Sequence, residues 1–303
     1  MGHDHSHGAE ANRRRLSIVI GIVSFVLVIE VVGAWLTGSL ALLADAGHMF
    51  SDLAGLIIAL IATIVASKPA TDRQTYGYQR AEVFGALING LILVGVAISV
   101  VISAILRLAS GTAADVHGGP MLIVAIIGLI ANIVALLMLR PAASNSINMR
   151  GAYLEVLGDA LGSIAVIVAA VLILTTGFQQ ADSIASLIIA AMIAPRAFSL
   201  LRDVVRVLSE SAPADTDVAQ IRQHILETPG VVAVHDVHVW AITSGAHVFS
   251  AHVVVEPSVL TSGGAGRLLD DLGGCLSTHF DVDHSTFQLE PAEHAEHEDH
   301  SHA

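Results

Sequence analysis

Six long apolar runs separated by short polar stretches occupy the first two thirds of the chain, at residues 16–36, 40–66, 81–106, 120–139, 152–175 and 183–201. A helix that crosses the hydrocarbon core of a bilayer needs about 20 mainly apolar residues, so the pattern predicts six spans. The last is interrupted by Pro195 and Arg196 and is expected to run on as a helix beyond the bilayer, since neighbours can satisfy a carbonyl freed by proline. Arg13–Arg15 before the first run could open a secretory signal. That run is too long for one and lacks a small-residue cleavage pattern, which predicts an uncleaved first span.

Near Ser209 the period changes. Asp217–Glu227 reads as a short helix ended by Pro229-Gly230. VVAVHDVHVWAI and HVFSAHVVVE are valine-rich strands joined by a turn containing Ser244-Gly245. Gly266–Phe280 reads as a second helix and Ser285–Glu290 as a short last strand. The order αββαβ predicts a small α+β domain, ferredoxin- or metallochaperone-like, with helices on one sheet face. At about 80 residues it is near the lower size for independent stability, which favours dimerisation. The expected division is therefore 1–12, a polar His-rich tail; 13–208, an all-α six-helix membrane domain; 209–290, a cytoplasmic metal-binding and dimerisation domain; and 291–303, a His- and acid-rich tail. The tails cannot bury a core and are expected to be unstructured. They hold His3, His5, His7, His294, His297, His300 and His302, and composition alone makes them metal-attracting.

Composition narrows the class. Only 14% of residues are charged against 54% hydrophobic, where soluble domains carry roughly 25% charged; this is an integral membrane protein. A net charge of −13 without a basic stripe argues against nucleic acid. The single cysteine, Cys275, excludes a disulfide framework, and metal sites are expected to use His and carboxylate. Basic residues fall in alternate connections: Arg13–Arg15, then Lys68, Arg73 and Arg80, then Arg140 and Arg150, then Arg202 and Arg206. Arg107 is the one exception on the opposite side. The positive-inside rule then puts both termini in the cytoplasm, with the cell membrane the expected location.

The chemistry sits inside two spans. His48 and Asp52 in the second, and Glu155 and Asp159 in the fifth, are each four residues apart and so share a helix face. Ionisable groups at bilayer depth are costly and are functional candidates by default. The two pairs offer four donors, the number a zinc-type ion takes, and the spans carrying them contain no Lys or Arg partner. Asp45, three before His48, is either a release-side ligand or an acid favoured by the helix dipole. Glu30, Asn89 and Asn132 read as interhelical hydrogen-bond partners, and Glu30 alternatively as a proton carrier. In the cytoplasmic domain His235, His238 and His252 lie on strands with Glu290 at the end of the last. Alternation places His238 opposite His235.

GSLALLADAGHMFSDLAGL, YGYQRAEVFGALING, YLEVLGDALGS and VHDVHVWAITSGAHVFSAHVVVE resemble the cation diffusion facilitator family of zinc/cobalt/cadmium-type exporters. The resemblance implies a homodimeric, proton-coupled divalent-metal exporter working by alternating access, not an enzyme. Its transport site would lie between the second and fifth spans, at His48, Asp52, Glu155 and Asp159. Glu155 stands where the family usually has His. Zn²⁺ is then the expected cargo, with Co²⁺, Cd²⁺, Ni²⁺, Mn²⁺ and Fe²⁺ admissible. A cytoplasmic metal site would use His235, His252 and Glu290, with Gln288 where a relative has His. The connection TDRQTYGYQ has no His, so no metal site is expected there. Two rival readings are a membrane-anchored metal sensor and an intramembrane metallohydrolase. No H-E-x-x-H motif supports the second.

Overall fold

The computed structural model describes residues 4–110, 115–143, 147–243, 245–261, 263–280 and 282–295. Six long helices come first: α1 Asp4–Thr37, α2 Leu40–Ala66, α3 Ala81–Ala109, α4 Gly118–Ala143, α5 Ile147–Thr176 and α6 Gln180–Leu208. All six are long and apolar enough to cross a membrane. Large apolar side chains stay exposed around them, including Trp35 at 83%, Phe198 at 71% and Phe25 at 66%. In water such surface would be a liability; in lipid it is the expected exterior.

One expectation is corrected here and another is met. The first helix begins at Asp4, although an unstructured tail is expected to residue 12. Ala9, Glu10 and Ala11 are good helix formers, and extending an existing helix costs far less than starting one. The last span is one uninterrupted helix through Pro195 to Leu208, as its expected continuation requires.

The chain forms two compact units, Met1–Ile58 with Ile88–Leu200, and Ala59–Leu87 with Leu201–Ala303. The first holds a core of small and branched residues such as Ala41, Leu42, Ala44, Leu93, Val166, Ala170 and Ile189. Where polar side chains cross between helices, glycine makes the room. A Cβ on Gly55 would lie 2.6 Å from the Asn89 side chain, and one on Gly162 2.5 Å from the Asp45 carboxylate. At the α6 end of this unit Asp182 accepts from Ser39 Oγ and from the Leu40 and Ala41 amides, capping α2. Arg107 lies 3.6 Å from the same carboxylate. The charge that breaks the positive-inside pattern is thus neutralised within the fold.

The second unit contains the sheet. After α6 come α7 Val218–Leu226, β1 Val231–Thr243, β2 Ala246–Val255, α8 Pro257–Thr261, α9 Ala265–His279, β3 Val282–Glu290 and α10 Ala292–Ala295. Asp217 caps α7 by accepting from the Ala219 and Gln220 amides. The strand order is β1-β2-β3, with β1/β2 antiparallel and β2/β3 parallel. This is the expected αββαβ order, with two short helices added. One of them, α10, falls where an unstructured tail is expected, and β3 starts three residues early. Alternate residues Phe249, Ala251, Val253 and Val255 of β2 share a core with Ile221 and Ile225 of α7 and Leu268, Leu272 and Leu276 of α9. Their neighbours His252, Ser250 and Val254 take the other face.

A bulge corrects the position of His238. His235 pairs with His252 and His238 with Ser250, so β1 spends three residues where β2 spends two. Asp236 sits in the left-handed region at φ 48°, which Asp tolerates at a bulge. The extra residue returns His238 to the face of His235.

Candidate metal centre

The membrane-embedded site grows out of helical spacing. On α2, His48 and Asp52 are one turn apart, and His48 Nε2 lies 3.5 Å from Asp52 Oδ2. Asp159 of α5 reaches the same point, with Oδ1 3.8 Å from His48 Nε2. Each of the three offers an atom within 4.8 Å of the others. Ligands about 2.1 Å from a tetrahedral ion stand roughly 3.4 Å apart, so little closure is needed to hold one. Asp52 and Asp159 are both buried, and neither His48 Nδ1 nor Asp159 Oδ1 has a hydrogen-bond partner among the described residues. Buried polar atoms without partners are expensive, so the cluster has donor atoms to spare for a cation.

Glu155 is placed differently from expectation. It is one turn before Asp159, but its carboxylate is held by Arg196 of α6, Nη2 to Oε1 at 3.1 Å. The other arm of Arg196 reaches Asp52 Oδ1 at 2.9 Å. The expectation of carboxylates without a cation partner is therefore wrong. The two spans that carry the acids hold no Lys or Arg of their own, and the partner comes from a third helix. Nothing in the α6 pattern pointed inward except that an arginine interrupts an apolar run.

A cavity of about 440 Å³ opens beside the cluster, lined by Asp45, His48, Glu155, Gly158, Met192 and Arg196 among others. Asp45 is 2% exposed and faces α5 at Gly162, beyond the first turn of α2. That location disfavours the dipole role and puts Asp45 on the wall of the cavity. Ser163 hydrogen-bonds Asp45 and also meets Asn132 Nδ2 at 3.5 Å. Asn89 joins α3 to α2 through Ser51 at 3.3 Å, as an interhelical partner should. Glu30 is fully buried, and neither carboxylate oxygen has a hydrogen-bond partner among the described residues.

The second expected site is also assembled. His235 Nε2 and Glu290 Oε1 are 2.5 Å apart, and His252 Nδ1 lies 3.9 Å from Glu290 Oε2. The two imidazoles meet edge to face, their centroids 5.2 Å apart. Gln288 donates to Glu290 Oε2 at 3.3 Å, and His294 approaches it at 3.8 Å. Asp236, turned by the bulge, joins His235 and His252 in a metal-capable group. Alternation hid that residue. Of the tail histidines, His294 is thus placed beside this site. His3, His297, His300 and His302 lie outside the described residues, as do the side chains of His5 and His7.

These two polar clusters, one inside a six-helix membrane domain and one on the open face of a small sheet, define a membrane protein that handles metal cations. The comparisons agree. Residues 16–209 match the cation efflux transmembrane domain and residues 213–292 the cation efflux protein cytoplasmic domain. The chain belongs to the cation efflux family, whose members are transporters. It is 41% identical over 297 residues to the metal cation efflux system protein CzcD of Cupriavidus metallidurans, covering 97% of this chain and 92% of that one. Against the zinc transporter ZitB of Escherichia coli identity is 39%, covering 96% and 93%. Against a cadmium, cobalt and zinc/H⁺-K⁺ antiporter of Bacillus subtilis it is 38%, covering 97% and 93%. A solved metal-bound C-terminal domain of the CzcD transporter from C. metallidurans is 39% identical and covers 25% of this chain and 99% of its own, with a TM-score of 0.23.

Proposed function

We propose that this protein exports divalent metal, Zn²⁺ first among its cargoes, in exchange for protons, by alternating access. The observation that carries the reading is the triad His48, Asp52 and Asp159, converging from two membrane helices, with His48 Nδ1 and Asp159 Oδ1 lacking a hydrogen-bond partner among the described residues. Its likeness to transporters named for zinc, cobalt and cadmium supports the choice of cargo. A His–carboxylate set accepts Zn²⁺ and its borderline neighbours and disfavours Cu⁺.

Arg196 gives the cycle a resting state. Without cargo its guanidinium balances Asp52 and Glu155. An arriving M²⁺ supplies the charge instead, and Arg196 withdraws. Glu155 is then free to become the fourth ligand beside His48, Asp52 and Asp159. These donors bind metal only when deprotonated, so protons from the other side release it. On the expected orientation, α5 begins at the cytoplasmic end, which places Glu155 and Arg196 nearer the loading side and Asp45 nearer the release side. The protein works as a homodimer in the cell membrane, with both termini cytoplasmic. Dimerisation joins the cytoplasmic domains, and the sheet-face site at His235, His252 and Glu290 holds metal that tunes transport.

The test is metal-driven proton flux in proteoliposomes. Inward Zn²⁺ addition should drive proton movement that wild type supports and empty liposomes do not. A folded protein that binds Zn²⁺ and moves neither ion would be a sensor, and the proposal would fall.

A further inference from the structure

The structure assigns a second metal site to the cytoplasmic domain, on the helix-covered face of the sheet and built around its thiol: Cys275, His224 and His279. The ligand class is a thiolate-accepting, borderline or soft divalent ion, namely Zn²⁺, Cd²⁺ or Co²⁺. This goes beyond the expectation that metal sites here use only His and carboxylate, which follows from Cys275 being alone in the sequence. It is alone among cysteines, but not in space.

The site follows from how the helices meet the sheet. Leu268, Leu272 and Leu276 form the buried stripe of α9, and Cys275 and His279 stand one residue round from it, four apart on one face. On α7 the buried pair is Ile221 and Ile225, and His224 lies next to it. The edges of the two stripes therefore meet, and three donors meet with them. Cys275 Sγ is 3.6 Å from His224 Nδ1 and 3.7 Å from His279 Nδ1. Each of the three residues offers a donor atom within 4.8 Å of the others. The rings of His224 and His279 pack edge to face, their centroids 5.5 Å apart, and Phe280 closes against His224 at 5.2 Å. His279 Nδ1 also lies 3.2 Å from the Cys275 carbonyl oxygen, a hydrogen bond that ligation replaces.

An independent observation points to a ligand. A cavity of about 270 Å³ is lined by His224, His279 and His247, with Asp215 and Asp217 at its edge. His247 comes from β2 on the core side of the sheet, two residues before Phe249. It is 8% exposed, and its Nδ1 has no hydrogen-bond partner among the described residues. A buried ring nitrogen left unpaired on such a wall costs free energy, unless something in the cavity takes it up. Three protein ligands leave the fourth position of a tetrahedral ion facing this cavity, which His247 borders.

The two soluble-domain sites differ in chemistry as well as place. The sheet-face site has imidazole and carboxylate, whereas this one adds sulfur. Cd²⁺ should therefore prefer the helix side more strongly than Zn²⁺ does. A softer site of this kind suits a sensor of thiophilic metal better than a carrier.

Because Cys275 is the only cysteine in the chain, sulfur spectroscopy reads this site and no other. The full-length protein, stripped of metal in detergent, is titrated with Co²⁺. Tetrahedral visible bands should be joined by a near-ultraviolet thiolate-to-cobalt charge-transfer band that saturates at one equivalent per chain. Zn²⁺ should bleach that band and slow iodoacetamide labelling of Cys275 by at least about tenfold. His224→Ala and His279→Ala should each lose the band, while His235→Ala and Asp159→Asn keep it. The wild-type titration and labelling need no variant, so a folding defect in the His224 change leaves the test intact. Cobalt bound without a thiolate band, labelling indifferent to Zn²⁺, or a band that survives both histidine changes would each overturn the assignment.

Discussion

The membrane cluster and the sheet-face cluster meet the same electrostatic difficulty with different cations. Asp52 and Glu155 are balanced by Arg196, which is charged at every physiological pH. Glu290, 2% exposed, is balanced by His235, His252 and His294, which are charged only when protonated. An imidazole that loses its proton becomes a ligand where it stands. A guanidinium has no lone pair to offer and must move away. On the proposed function, the sheet face is thus suited to be occupied, and the membrane site to be occupied and emptied. Cargo that had to displace a tethered cation is also cargo that the cation helps to expel.

The largest effect should come from Asp159. Among the described residues Arg196 pairs with Asp52 and Glu155 rather than with Asp159, so Asp159→Asn removes a ligand and leaves the counter-ion pair in place. Proton flux driven by Zn²⁺ in proteoliposomes should fall to the empty-liposome background, with monodisperse protein recovered in normal yield. Asp52→Asn should also abolish flux, but it leaves a guanidinium short of a partner and is the less clean test. Flux within a factor of two of wild type in Asp159→Asn would remove the membrane site from the comparison.

Arg196 tests the tethered-cation half. In Arg196→Gln the acids have no competing charge, so Zn²⁺ should bind more tightly and leave more slowly. The half-saturating concentration and the maximal rate should both fall, each about tenfold if the pair contributes the roughly 1.4 kcal/mol expected of a half-exposed contact. Arg196→Lys should lie between, since an ammonium keeps the charge but loses the two-armed geometry. A variant with a lower rate and weaker binding would mean that Arg196 only shapes the cavity.

Glu155 is expected to act on selectivity. Glu adds a hard oxygen where the family resemblance implies imidazole, so Glu155→His should raise the Zn²⁺/Mn²⁺ transport ratio severalfold in competitive flux. The same change removes one Arg196 contact, so the half-saturating Zn²⁺ concentration should fall slightly. An unchanged ratio would leave Glu155 as a partner of Arg196 and nothing more.

Much of this was legible in the chain, for physical reasons that also explain the failures. The six spans and the αββαβ order come from local periodicity, which sequence displays directly. His48–Asp52 and Glu155–Asp159 were readable because i,i+4 spacing is a local rule with a geometric consequence. Arg196, Asp236 and Cys275 were not, each for a different reason. Arg196 acts across helices, at separations no local period encodes. Asp236 depends on a bulge, and one extra residue in β1 reverses every later assignment of face. Cys275 gains its partners only when two apolar stripes dock, which brings α7 against α9. The α1 extension shows the opposite error, since a polar composition was read as unstructured where helix propagation decides.

The smallest change in flux should come from the sheet face, and that is where the comparison is sharpest. His252 sits between His235 and Glu290, on the face that carries no helix core. Replacing it should remove one metal per chain from the soluble domain while leaving the membrane ligands untouched. His252→Ala should therefore keep at least about half of wild-type maximal flux, since removing a sheet-face ligand leaves the membrane ligands in place. Equilibrium dialysis should show one fewer tightly bound Zn²⁺ per chain. The pH dependence gives the sign. Protons compete with metal for imidazole, so occupancy of the sheet site should fall as pH drops. The variant should lack that step. The half-saturating concentration for flux should rise modestly in the variant if the sheet site tunes transport. Collapse of flux in folded His252→Ala would show that the two clusters work as one machine, and the contrast between a holding site and a moving site would fail.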